Sequence, residues 1–320
     1  MQTIENPDTI GLNTLERSIL SCFCYYDVFG HPLTADEIRA HLPVNSISNT
    51  EIVGLLSGSS ISRFISKNGN YFYLSGRDDS IIQNRIQKEK FAQKRRKAAR
   101  LMTRIISIFP YVRSVMISGE LSKNQSGKKS DIDYFILTEP GRLWITRASL
   151  TMFKKILLLN NRTFLCLNYF RTTDHLSFSC QQDFFTAIEL LTLKPTYNSE
   201  YYYKLRDSNT WVKTMFPNFE KSNSVESMLL TNRRSILQKA FEKILSYFNI
   251  EYLDAKIMKW YGRYWKKQYT DLSPEELSHN FRCSARESTA FGEESRKEIM
   301  RRYTDKYNIL LEELRKNGHA

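Results

Sequence analysis

Residues 117–137 read ISGELSKNQSGKKSDIDYFIL, and this stretch decides the fold. It follows YVRSVMIS at 111–118, a run rich in β-branched and apolar residues that predicts a strand. The apolar run then breaks at Ser118-Gly119. A polar loop with Lys123, Lys128, Lys129 and Ser130 follows, and DIDYFIL opens a second predicted strand. Alternate side chains of a strand share one face, so Asp131 and Asp133 are expected to point the same way at its start. Two convergent carboxylates repel unless a cation lies between them. Magnesium suits such a pair, because it takes hard oxygen ligands and is often held by one or two carboxylates plus substrate phosphates. A glycine lets backbone approach phosphate closely, and loop N–H groups can bind it.

Outward from this stretch, GRLWITRASLTMFKKILLL (141–159) predicts a helix behind the breaker Pro140-Gly141. RTFLCLNYF (162–170) predicts a third strand, completing an α/β unit over 109–180. Arg142 and Arg147 flank Trp144 at the start of that helix. They suit either phosphate binding with a stacked base or a charged helix surface with a packed Trp.

Before this core, residues 13–75 predict three helices and a hairpin. Asn13, Thr34 and Ser48 each precede a glutamate by three (Glu16, Glu37, Glu51), the spacing of a capping box. Helices are therefore expected near 14–28, 35–41 and 49–57. Asn68-Gly69 between two β-rich runs is a hairpin turn signal. Three helices and a hairpin is the winged-helix order, so 1–76 is read as a winged-helix-like domain. Its third helix carries one Glu and no Lys or Arg, which favours packing or protein contact over DNA readout. Residues 77–108 form a basic helical linker. NRIQKEKFAQKRRKAARLMTR (84–104) holds nine basic residues and one acid, so basic residues 85–104 are a candidate nucleic-acid contact or a solvated face.

From 181 to 320 the pattern reads as helical. Pro195 ends one helix, Ser273-Pro274-Glu275-Glu276 starts another, and 217–229 is the best internal boundary. The fold class expected is α+β: a winged-helix-like start, a small mixed-sheet core and a C-terminal helical region.

The stretch 117–137 resembles the signature of the DNA polymerase beta-like nucleotidyltransferase superfamily: a strand, Gly followed by Ser or Gly, a loop, then Asp-x-Asp on the next strand. The resemblance covers roughly residues 111–170. It implies a mixed-sheet core with Asp131 and Asp133 as catalytic ligands of Mg2+, and Ser118 and Gly119 in the phosphate-binding turn of a nucleoside triphosphate. Lys123, Ser130 and Arg142 are the further phosphate-binding candidates. The helical part would serve as the substrate side. Two positions depart from the signature. Glu120 stands where Ser or Gly is expected, and TFLCLNYF has no acid; Asn168 takes the inward position as a candidate catalytic residue. An amide can hold a metal or a hydroxyl but is a poor base.

The whole chain of 320 residues carries a formal net charge of +13, which favours anionic partners. Five scattered cysteines make a poor disulfide framework, and five histidines show no metal-ligand spacing. The opening MQTIENPDTIGLN has no apolar stretch, and no run is long enough to span a bilayer, so the expectation is a soluble cytoplasmic chain. Three functional readings stand: magnesium-dependent nucleotidyl transfer to a protein, RNA or small-molecule acceptor; a catalytically impaired nucleotide-binding protein of the same fold; or a winged-helix nucleic-acid-binding protein.

Overall fold

Capping explains where the first helices begin. In the computed structural model, α1 (Thr14–Val28), α2 (Ala35–Ala40) and α3 (Asn49–Gly58) each start on the expected reciprocal box. The cap oxygen takes a backbone N–H, and the Glu returns to the cap backbone. Strands β1 (Ile65–Asn68) and β2 (Tyr71–Leu74) close antiparallel around Asn68-Gly69, with Asn68 opposite Tyr71. Gly69 supplies the positive φ of 59° that this turn demands. Leu33 adds a bridge to Phe72.

The structure describes residues 12–45, 47–161, 163–179, 182–219, 234–290 and 292–318. They fall into two compact units. The first takes described residues of Met1–Ile86, Lys213–Ser224 and Lys297–Ala320, and the second those of Gln87–Val212 and Val225–Arg296. The proposed boundary at 217–229 lies largely outside the described residues.

The chain passes between the units along α4 (Ser80–Ile106). The second unit then continues with β3 (Val112–Ser118), α5 (Gly119–Ser122), β4 (Asp133–Thr138), α6 (Leu143–Leu157) and β5 (Cys166–Thr172). Next come α7 (Phe184–Thr192), β6 (Lys194–Tyr197), α8 (Glu200–Asp207) and α9 (Trp211–Met215), whose last residues enter the first unit. They are followed by α10 (Ile236–Leu245), α11 (Ile250–Gln268), α12 (Pro274–Asn280) and β7 (Glu287–Thr289). Helix α13 (Gly292–Gly318) closes the described chain.

The main sheet runs β6-β3-β4-β5-β7. Strands β3 and β4 are antiparallel, while β4 and β5 are parallel and joined through α6. Among the described residues the fold is thus mixed α+β, with two sheets. No described helix is long and apolar enough to cross a membrane.

Two strands correct the all-helical reading of 181–320. Lys194–Tyr197 pairs with β3, and Glu287–Thr289 pairs with β5. Both are edge strands of three or four residues, too short to show an alternating pattern. Pro195 lies inside the first of them, not at a helix end. An edge tolerates proline because one side of the strand needs no N–H.

The core of the second unit lies on one face of this sheet. Val115, Ile117, Tyr134, Ile136 and Phe170 pack there against Ala99 and Met102 of α4, Trp144 and Leu150 of α6, and Tyr261 and Trp265 of α11. Each large side chain so buried contributes about 1.5–3 kcal/mol. On the opposite face Phe135 stacks on Tyr169, with ring centroids 4.7 Å apart.

In the first unit, buried Asp27 of α1 accepts from Arg77 at 2.7 Å and pairs with Lys306 of α13. Burial alone would raise its pKa, but the hydrogen bonds and charges of Arg77 and Lys306 outweigh burial and hold it below the ordinary value. Protonation of the unfolded chain at about pH 3.9 therefore precedes that of the folded one. The contribution is complete above about pH 5 and fades as the pH falls below about 4. Asp27→Asn is expected to lose about 1–3 kcal/mol, since both cations keep partial solvent contact. Urea titrations at about pH 7 and about pH 3 should show the gap to wild type shrinking at the lower pH; an unchanged gap would deny the ion pairs this role.

Candidate functional site

Strand alternation decides where the acids point. Tyr134 and Ile136 enter the helix-covered core, so Asp133 turns with Phe135 to the other face. Strand β4 begins only at Asp133; Asp131 and Ile132 lie in the irregular segment before it. Their expected placement on a strand therefore holds for Asp133 alone. Asp131 and Asp133 still interact, since the charge of Asp131 acts on Asp133.

Gly119 faces Asp133 from the end of the neighbouring strand. Ser118, the last residue of β3, is paired with Asp133. The chain then turns into α5 at Gly119 with φ +64°, a conformation that L side chains seldom adopt. A Cβ built at Gly119 would collide with Asp133 Oδ2 and come within 3.1 Å of its Cγ. Glycine is thus required twice, by its torsion and by the closeness of the carboxylate.

The other oxygen of Asp133 is engaged across β5. Asn168 Nδ2 donates to Asp133 Oδ1 at 2.7 Å, and Cys166 Sγ donates to Asn168 Oδ1 at 3.2 Å. Burial pushes the Cys166 thiol up to about 12, so it stays protonated and serves as a donor. Burial likewise raises Asp133, the nearby thiol lowers it, Asp131 and Glu189 raise it and Lys123 lowers it, which together leave it at about 6.

Glu189 of α7 carries no motif that would mark it in the sequence. It pairs at 2.7 Å with Lys123, whose Nζ also donates to Gly119 O at 3.3 Å. Lys123 is therefore enclosed, with 6% of its side chain exposed, and its charge is already partnered in this arrangement. Glu120 turns to Ser130 and accepts its hydroxyl proton, and Ser130 Oγ in turn accepts from Gly127 N at 2.7 Å. The carboxylate that departs from the signature is thus held by the residue beside Asp131.

Arg142 is not brought to the acids. It lies beyond the far end of β4, roughly 16 Å of strand away at 3.3 Å per residue. There it donates to Gly141 O, reaches Glu251 at 3.4 Å and stacks over Tyr111. Arg147 is buried over the rings of Phe170, Tyr261 and Trp265, and Trp144 donates its indole N–H to Ser284 O. Both belong to the core. Of the basic run 85–104, Arg85 is buried against Glu37, Arg95 donates to Lys128 O at 2.7 Å, and Arg96 donates to Asn124 Oδ1. Arg95 and Arg96 thus hold the loop between the two motif halves. Lys90, Lys94, Lys97, Arg100 and Arg104 remain exposed.

Among the described residues no three His, Cys, Asp or Glu side chains form a metal-ligand group. The acid pair offers two carboxylates and no more. Comparison with known proteins gave no match: no family model, no curated protein and no solved structure.

Gly119→Ala is expected to destabilise the chain by at least about 2 kcal/mol, from the left-handed torsion and the collision with Asp133. Chemical denaturation checks this. A variant as stable as wild type would show that the turn relaxes freely away from the acid.

Proposed function

We propose that this chain is a magnesium-dependent nucleotidyltransferase that moves a nucleotidyl group from a nucleoside triphosphate to an acceptor. In this reading the sheet unit is a DNA polymerase beta-like core, and the three capped helices with their hairpin form a winged-helix-like unit. The observation that carries the reading is the Ser118-Gly119 turn pressed against Asp133, with Asp131 two residues away. Phosphate and metal chemistry needs such a meeting of bare backbone and paired carboxylates.

The donor set fits magnesium. Burial and the neighbouring charge of Asp131 leave Asp133 destabilised as an anion, and a cation relieves that. Two carboxylates suit a magnesium that completes its shell with water and phosphate oxygens, and do not suit an all-protein cage. When bound, the metal neutralises and orients the triphosphate. Asp131 and Asp133 would hold it, and Asn168 would fix the rotamer of Asp133 through its 2.7 Å bond. Gly119 keeps the backbone beside them free of a side chain. Glu120, bonded to Ser130, is turned to the loop, which lessens its repulsion of a triphosphate. Lys123 would serve the phosphates only on leaving Glu189.

Titration calorimetry with magnesium and ATP tests the site. Asp131→Ala and Asp133→Ala should each abolish measurable binding; equal affinity in wild type and both variants would sink the assignment.

A second reading, nucleotide binding without transfer, is favoured by Asn168. Its amide occupies Asp133 Oδ1 at the strand position where the signature tends to place a third acid. Incubation with labelled triphosphates and candidate acceptors separates the two. Transfer by wild type supports the enzyme. Label moved only by Asn168→Asp would assign the native chain to the binding role.

A further inference from the structure

Helix α10 packs with its polar side inward. Gln238 is fully buried, and its Nε2 donates to Phe109 O at 3.0 Å and Val112 O at 2.7 Å. One turn on, Glu242 accepts from the backbone N–H of Tyr111 at 2.8 Å, from Arg113 at 2.7 Å and from Arg234 at 3.0 Å. These bonds fix the rotation of the helix about its axis. A rotated helix would leave two carbonyls and the Arg113 guanidinium without these partners.

The apolar side therefore faces outward. Ile236, Leu237, Phe241 and Ile244 are 85, 57, 48 and 58% exposed. The turn after the helix adds Tyr247 and Phe248 at 80 and 60%. At 100° per residue the four helical residues fall within one arc of the helical wheel, so they form one stripe. Scattered exposed apolar residues are ordinary on a protein surface, but a continuous stripe of this kind marks a contact site.

The charged residues of the helix that flank the stripe are lysines. Lys239 and Lys243 rim the stripe, and the next helix, α11, is itself basic, with exposed Lys256, Lys259, Arg263 and Lys267. Of the three acids between 236 and 268, Glu242 is bonded inward, Asp254 is buried, accepting from Ile145 N at 2.8 Å, and exposed Glu251 pairs with Arg142 at 3.4 Å. A second copy of this chain would set the same lysines against one another. Nucleic acid would match the lysines but offers no apolar phase for Ile236, Leu237 and Ile244. An anionic bilayer surface satisfies both halves: its acyl boundary takes the stripe, and its headgroups take the rim.

We propose that α10 and the turn after it form a peripheral docking surface for anionic phospholipid membranes. The helix lies in the plane of the interface with its apolar stripe inserted and Lys239 and Lys243 at headgroup level.

Sedimentation of the full chain with vesicles of phosphatidylcholine alone, and of phosphatidylcholine mixed with phosphatidylserine, tests this. Wild type should sediment with the mixed vesicles at low salt and far less with phosphatidylcholine. Phe241→Ser combined with Ile244→Ser should weaken partitioning roughly tenfold or more. Lys239→Glu combined with Lys243→Glu should remove the preference for phosphatidylserine. All four side chains point outward, so circular dichroism and thermal unfolding should match wild type. The lysine pair, which removes no apolar contact, keeps the test open if the serine variant unfolds. Wild type that stays in solution with both vesicles overturns the proposal. So does a dimer by light scattering that the serine variant turns into monomer, or binding of a single-stranded RNA that the serine variant abolishes.

Discussion

The candidate site rests on one close approach, that of the Gly119 backbone to the Asp133 carboxylate. It exists because β3 and β4 pair antiparallel with Ser118 opposite Asp133, so the end of one strand lies against the start of the next. A one-residue slip in that register would turn Asp133 into the apolar core and Tyr134 out of it. The register is secured by Val115, Ile117, Tyr134 and Ile136, all buried on the helix-covered face. Packing on one face thereby holds Asp133, a carboxylate whose charge is disfavoured, on the other.

That disfavoured carboxylate is tolerated because its surroundings are hydrogen-bonded. Asn168 satisfies one oxygen of Asp133, Cys166 fixes the orientation of Asn168, and Ser130 satisfies Glu120. Lys123 and Glu189 neutralise each other beside the turn. A buried carboxylate with no such partners would simply take up a proton. The same logic governs α10. Gln238 and Glu242 answer orphan backbone groups and a guanidinium from the sheet unit, and that polar demand sends the apolar side of the helix outward.

Much of this was legible in the residues. The capping pairs Asn13–Glu16, Thr34–Glu37, Ser48–Glu51 and Ser273–Glu276 mark helix starts because both partners lie three residues apart and need nothing distant. Asn68-Gly69 marks its hairpin for the same local reason. The acid pair and the glycine turn are readable as a motif. Glu189 is not, because it reaches the site from α7 by folding rather than by spacing. Strands β6 and β7 escaped because their hydrogen bonds come from β3 and β5, and their own sequences carry no period. Arg142 looked like a ligand from its nearness in sequence, and the length of β4 removes it.

By itself, then, the sequence determined what is local: the capped helices, the hairpin and the glycine turn. Those features depend on torsions and on contacts within a few residues. Only the tertiary structure decided which groups answer the half-buried Asp133, where Lys123 and Glu120 turn, and which side of α10 meets solvent. Each of these is settled by partners far apart in the chain, since a buried polar group takes whichever partner the fold brings within hydrogen-bond reach.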